Sequence, residues 1–123
     1  EAHLDVVRER VDDDHHAVRR NALISLFKAT GTEALPTLLS AADDDSERVR
    51  EWAVHMLGGI DDERATATLE RHAARDASRI VRETARNALD VDADRFRRRF
   101  SGTGAGEEVT HRGEDFLNRT PDL

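Results

Sequence analysis

The densest run of potential metal ligands in this chain is Asp12-Asp13-Asp14-His15-His16. Carboxylates beside imidazoles suit a divalent cation. Adjacent residues on a helix, however, point about 100° apart, so His15 and His16 do not readily share one ion. His3, His55, His72 and His111 stand alone in the sequence. His55 and His72 read as partly exposed surface groups rather than ligands. Neighbouring acids could serve general acid–base catalysis, and Asp43-Asp44-Asp45 offers three in a row. Followed by Ser46 and a helical pattern, they read first as turn and capping residues. Nucleophilic chemistry finds no support. The chain has no Cys and no Tyr, and neither a Gly-x-Ser-x-Gly nor a phosphate-loop pattern occurs. Gly102-Thr103-Gly104-Ala105-Gly106 superficially matches part of a dinucleotide fingerprint, but it follows a helical stretch and lacks the βαβ setting that gives the fingerprint meaning. The residues therefore point to no catalytic site, no cofactor and no metal.

Composition narrows the classes further. The net charge is −7, and 37% of the 123 residues are charged. Of the 19 basic residues all but Lys28 are arginine. Such an acidic, Asp-rich, Lys-poor composition resembles proteins of salt-loving archaea, whose carboxylates hold water and ions while salt screens their repulsion. A GC-rich genome produces the same bias. Either way a broad basic footprint for nucleic acid is missing. No apolar run approaches the roughly 18 residues a membrane helix needs, so the expectation is a cytoplasmic protein without a membrane partner. Arg95-Phe96-Arg97-Arg98-Arg99-Phe100 is too short for a membrane-surface helix.

What organises the chain is repetition. Val18-Arg19, Val49-Arg50 and Val81-Arg82 are each followed by an alanine (Ala22, Ala53, Ala85) and then a leucine (Leu26, Leu57, Leu89). An aspartate stands five residues ahead of each valine: Asp13, Asp44 and Asp76. Self-similarity at a period of 31 and then 32 residues means stacked supersecondary units. Each unit reads as helix, turn, helix. In the first, Asp12-Asp13-Asp14 supplies cap residues, Val18, Ala22, Leu23 and Leu26 form the apolar face, and Gly31 ends the helix. Thr32 caps a second helix with Leu35, Leu38, Leu39 and Ala42 inward. The second unit carries Val49, Ala53, Met56 and Leu57, the turn at Gly58-Gly59 and Asp61-Asp62, then Ala65, Leu69 and Ala73. The third carries Val81, Ala85, Ala88 and Leu89, followed by a short second helix capped by Asp92 with Ala93, Phe96 and Phe100. Leu4, Val7 and Val11 keep the spacing of a second helix, so the chain opens inside a partial unit. Trp52 extends a stripe with Val49 and Met56, and partial core packing is its default. The boundaries are a repeat domain over 1–100 (partial unit 1–11, repeats 12–42, 43–74 and 75–100), a Gly-rich linker over 101–106 and a tail over 107–123.

The recurring Asp, Val-Arg, Ala and Leu pattern resembles the HEAT repeat. The short period and the Leu57-Gly58 ending resemble the subtype found in phycobilin lyases. The resemblance covers roughly residues 4 to 100 and implies an all-α fold: a right-handed α-α superhelix of about three repeats after the partial unit. It also implies that Asp13, Asp44 and Asp76 face Arg19, Arg50 and Arg82 as a structural ladder between units, since arginine's planar fork can bond carboxylates and turn carbonyls together. Metal-dependent HEAT enzymes carry His-Glu pairs, and this chain has no His-Glu dipeptide.

In a HEAT stack the second helices line the concave face. Their non-core positions here include Thr37, Ser40, Arg64, Thr68, Arg71, Arg95, Arg98 and Arg99. These are the residues expected to bind a partner. The leading reading is a non-catalytic scaffold holding a protein or peptide segment, an acidic one if the arginine stripe is open. The alternatives are a lyase-like or chaperone-like subunit, which requires an apolar groove for a pigment, and nucleic-acid binding through the arginines. The tail over 107–123 offers self-association, or docking on the stack as a stand-in for a partner.

Overall fold

The computed structural model describes residues 2–101, with side chains over 3–91. Glu1, the rest of the Gly-rich linker after Ser101, and the 107–123 tail lie outside the described residues. Among those described, the chain is helices and turns: α1 Ala2–Arg10, α2 His16–Thr30, a 3₁₀ turn Gly31–Ala34, α3 Leu35–Ala41, α4 Glu47–Leu57, α5 Glu63–Arg75 and α6 Arg79–Ser101. It is an all-α solenoid. The first helices α2, α4 and α6 pack in sequence, and α3 and α5 pack against them as second helices.

The repeating residues build one continuous core. Ala22, Ala53 and Ala85 are buried at equivalent points of α2, α4 and α6. Their small side chains let neighbouring first helices approach closely. Val49, Val81, Leu26 and Leu57 are buried around them, while Val18 and Leu89, in the outer repeats, are half-buried. The second helices contribute Leu35 and Leu38 from α3 with Ala42 just beyond it, and Ala65, Leu69 and Ala73 from α5. In α1 only Val7 is fully buried, and Leu4 and Val11 are half-covered. Trp52 is half-buried against the same core, with its ring edge-on to His55 at 5.6 Å.

Helix ends follow local chemistry, with two departures from the sequence expectation. Asp13, Asp44 and Asp76 are not simple N-caps. Each accepts the N–H of the residue two further on: His15 at 2.9 Å, Ser46 at 2.8 Å and Ser78 at 2.8 Å. The carboxylate thus fixes the turn leading into the first helix. By contrast Asp62 does cap α5, accepting from Arg64 N at 2.8 Å. Gly31 ends α2 at φ +59°, and its N–H reaches back to Phe27 O. A β-carbon there would meet no neighbouring atom, so the demand for glycine is conformational. Thr32 lies within the 3₁₀ turn rather than capping α3, and Pro36 sits in the first turn of α3, where its missing N–H costs little.

The third repeat differs most. The break and short second helix expected at Asp92 are absent, and α6 runs unbroken from Arg79 to Ser101. The first two units stop their first helices at Gly31 and Gly58-Gly59, whereas residues 90–95 contain neither glycine nor proline. The outward side of α6 is also polar. Glu83, Arg86 and Asn87 are exposed where the equivalent Glu51, Val54 and His55 of α4 are buried.

Burial on this scale gives a direct test. Leu38, 0% exposed, when replaced by alanine should cost about 3 kcal/mol through lost transfer energy and a residual cavity. Val6, 45% exposed, when replaced by alanine should change stability by no more than about 0.5 kcal/mol. Chemical denaturation of both variants measures the difference. Equal losses would contradict this core.

Candidate functional site: the inter-repeat ladder and its cleft

Arg19, in the first turn of α2, reaches in two directions. Its Nη1 donates to the carbonyls of Asp13 and Asp14 at 2.8 and 3.1 Å. Its Nε and Nη2 form a two-bond fork on Asp44, both at 2.9 Å. Arg50 repeats this one unit later. Nη1 holds the carbonyls of Asp44 and Asp45 at 2.9 and 3.1 Å, and Nε and Nη2 meet Asp76 at 3.1 and 3.3 Å. Each arginine therefore pairs with the aspartate of the following unit, not of its own. Arg82 keeps the first half of the pattern, with Nη1 on the carbonyls of Asp76 and Ala77 at 2.7 and 3.3 Å. Asp13 keeps the other half: it holds its turn and has no arginine fork among the described residues.

Burial opposes ionisation of Asp44. The Arg19 fork, the Ser46 N–H and the charge of Arg50 outweigh it and hold the carboxyl below its usual range. At Asp76 burial again works upward, and the Ser78 N–H, Arg50 and His72 pull the group down. Arg19 is pushed further up by its bond to Asp44. The second rung carries an addition. His72 on α5, buried, places Nδ1 2.7 Å from Asp76 Oδ2. Its Nε2 lies 3.4 Å from Asp43 Oδ1 without hydrogen-bond geometry. The ionised Asp76 carboxylate can only accept, so Nδ1 is the donor of this bond. Above this lies a cleft of about 430 Å³ lined by Asp43, Asp45, Arg71, His72 and Arg75, among others.

The side chains expected to bind a partner fall into three groups. Thr37 and Thr68 are half-buried and Ser40 exposed on the second helices. Arg64 and Arg71 are exposed but neutralised: Arg64 by Asp62 at 3.1 and 3.2 Å, Arg71 by Asp43 at 3.0 and 3.3 Å. Arg95, Arg98 and Arg99 lie on the unbroken extension of α6, not on a second helix. Among the described residues no third second helix is made, so these arginines do not continue the line of α3 and α5. Among the described residues no group of three or more His, Cys, Asp or Glu is placed to hold a metal ion. Among the described residues no helix is long and apolar enough to cross a membrane.

A family model for HEAT repeats matches residues 4–90. The chain belongs to the HEAT-repeat family. No curated protein and no solved structure matches it. In this HEAT protein the ladder forks join the turn of one repeat to the turn of the next, which is where stacked units need a register. Sequence reading took His55 and His72 for partly exposed surface groups, but both are buried, and the position of His72 four residues ahead of Asp76 is the one available signal of its role. It also passed over Glu51, which is 1% exposed, is bonded through one oxygen to Arg48 at 3.4 Å, and has its other oxygen unpartnered. Burial, partly offset by Arg48, raises the Glu51 carboxyl above its usual range.

These two carboxyls give opposite pH signatures. Asp76 has a depressed pKa in the fold, so its contribution is present above the ordinary carboxylate range and is lost as pH falls through the folded value, below about pH 4. Asp76→Asn should cost about 3 kcal/mol at pH 7, through the partners left unpaired, and much less in acid. Glu51 has a raised pKa, so its favourable term exists at low pH and is lost as pH rises through the folded value. Glu51→Gln should therefore raise the denaturation midpoint at pH 7, with the gain disappearing near about pH 4. Urea titrations at the two pH values read both effects, and a pH-independent difference for either variant would contradict its assignment.

Proposed function

We propose that this HEAT protein is a non-catalytic scaffold that holds a protein segment along the face of α3 and α5. The observation that carries this reading is the contrast between a continuous apolar core and a second-helix face that presents the small polar side chains Thr37, Ser40 and Thr68. Stacking fixes such a face in advance, so binding orders little of the scaffold. Arg64 and Arg71 are already paired with Asp62 and Asp43, so on this face shape and hydrogen bonding recognise the partner more than charge does. The same balance argues against a phosphate backbone as ligand. A lyase-like role finds no support in this face, which lacks the apolar lining a pigment requires.

Two variants separate the face from the fold. Thr37→Arg with Thr68→Glu fills the face with bulk, while Ser25→Arg on α2, exposed, alters the opposite layer. A partner identified by cross-linking to the wild-type chain should bind the double variant at least about ten-fold more weakly, which is 1.4 kcal/mol. It should bind the Ser25→Arg chain unchanged. Equal binding by all three chains would place the interaction elsewhere.

A further inference from the structure

Arg82 is half of a rung. Arg19 and Arg50 show what the complete arrangement does. Nη1 ties the guanidinium to two carbonyls of its own turn, and Nε with Nη2 then present a flat fork to a carboxylate. In Arg82 the tie is made, at 2.7 and 3.3 Å, but Nε and Nη2 have no acceptor among the described residues. The side chain is half-buried. Its two carbonyl bonds hold the guanidinium plane before any partner arrives, so the fork loses little freedom on binding a carboxylate.

A second arginine stands beside it. Arg86 lies one turn further along the same face of α6. It is exposed, and among the described residues it is held only by Nη2 to Ala73 O at 3.2 Å. Both guanidinium groups thus gather at the carbonyl end of α5, and among the described residues neither is bonded to a carboxylate. Elsewhere the exposed arginines with side-chain partners are neutralised: Arg64 by Asp62, Arg71 by Asp43 and Arg79 by Glu83. The surroundings also limit what could sit there. Another apolar repeat would meet exposed Glu83, Arg86 and Asn87 at the positions where α4 buries Glu51, Val54 and His55. A polar segment carrying a carboxylate meets no such penalty.

We propose that Arg82 and Arg86 form a docking site for an acidic protein segment. In this site an Asp or Glu of the partner takes on Arg82 Nε and Nη2 the place that Asp44 and Asp76 take on Arg19 and Arg50. The site uses none of Thr37, Ser40 and Thr68, so it stands or falls separately from the second-helix face.

The test follows the arginine Nε–H signals of the full ¹⁵N-labelled chain by NMR. The probe is an acetylated and amidated peptide copying residues 43–47 (Asp-Asp-Asp-Ser-Glu), the chain's own rung turn, with an all-Asn/Gln counterpart as control. The Arg82 Nε–H should move saturably with the acidic peptide and stay still with the neutral one. Arg82→Gln should weaken binding at least ten-fold, with the fold checked by circular dichroism. Arg82→Lys, which keeps the charge but not the fork, should weaken it as well, and Arg64→Gln should leave it unchanged. A motionless Arg82 signal overturns the proposal, including the case in which residues 102–123 already fill the fork. Wild-type affinity in the Arg82→Lys chain overturns it equally, because charge alone would then suffice.

Discussion

The structure depends on a problem that every stacked helical repeat has to solve. Apolar faces alone do not say how far one unit slides or rotates over the next, since leucine and alanine tolerate many contacts of similar energy. Here the register is set at the turns. One aspartate holds the N–H of the residue that opens its helix and also receives the arginine of the preceding unit. That arginine in turn closes the carbonyls of its own turn. Three pieces of backbone with no secondary-structure partners are thereby tied through two side chains. A paired, partly buried charge contributes little net stability against its desolvation, but displacing one partner leaves the other stranded, and that asymmetry penalises every wrong register.

The two rungs are not equally dry. The Asp44 side chain keeps 16% of its exposure and Asp76 only 3%. The drier carboxylate is the one given an extra partner, His72, at 2.7 Å. The position matching His72 in the preceding unit is Ala41, so the histidine belongs to this interface rather than to the repeat. Its arrival coincides with a looser arginine fork, 3.1 and 3.3 Å against 2.9 Å at Asp44. Oδ2 of Asp76 accepts from both Arg50 Nε and His72 Nδ1, while Oδ1 accepts from Arg50 Nη2 and the Ser78 N–H.

The stacked architecture was legible because it is written in residues whose burial recurs in phase: Ala22, Ala53 and Ala85, with the valines and leucines around them. Helix ends were less legible. The sequence marks a stop by glycine or proline, so Gly31 and Gly58 could be read, while Asp92 looked like a cap but stands in a run with nothing to break α6. The site was legible only in part. Aspartate and arginine were seen as a set, but pairing across 25 and 26 residues is a property of the stack. Which arginines are neutralised depends on the same geometry: Arg71 on α5 meets Asp43 from the turn after α3, 28 residues away. A stripe counted along helices does not contain that information.

Charge counted along the sequence therefore does not show which arginines keep an open fork. The arginines that look most available, Arg64 and Arg71, are spent on nearby aspartates. Arg82, which looks structural because it completes the recurring Val-Arg pair, is the one whose fork remains open among the described residues. Internal repetition explains why. A residue that bridges units has its partner supplied by the next unit, and among the described residues no unit follows Arg82 to supply one. Such a group is already shaped for one ligand class by the copies before it. In a HEAT stack whose outward face has turned polar at Glu83, Arg86 and Asn87, a left-over fork offers a partner both geometry and charge without exposing any of the core.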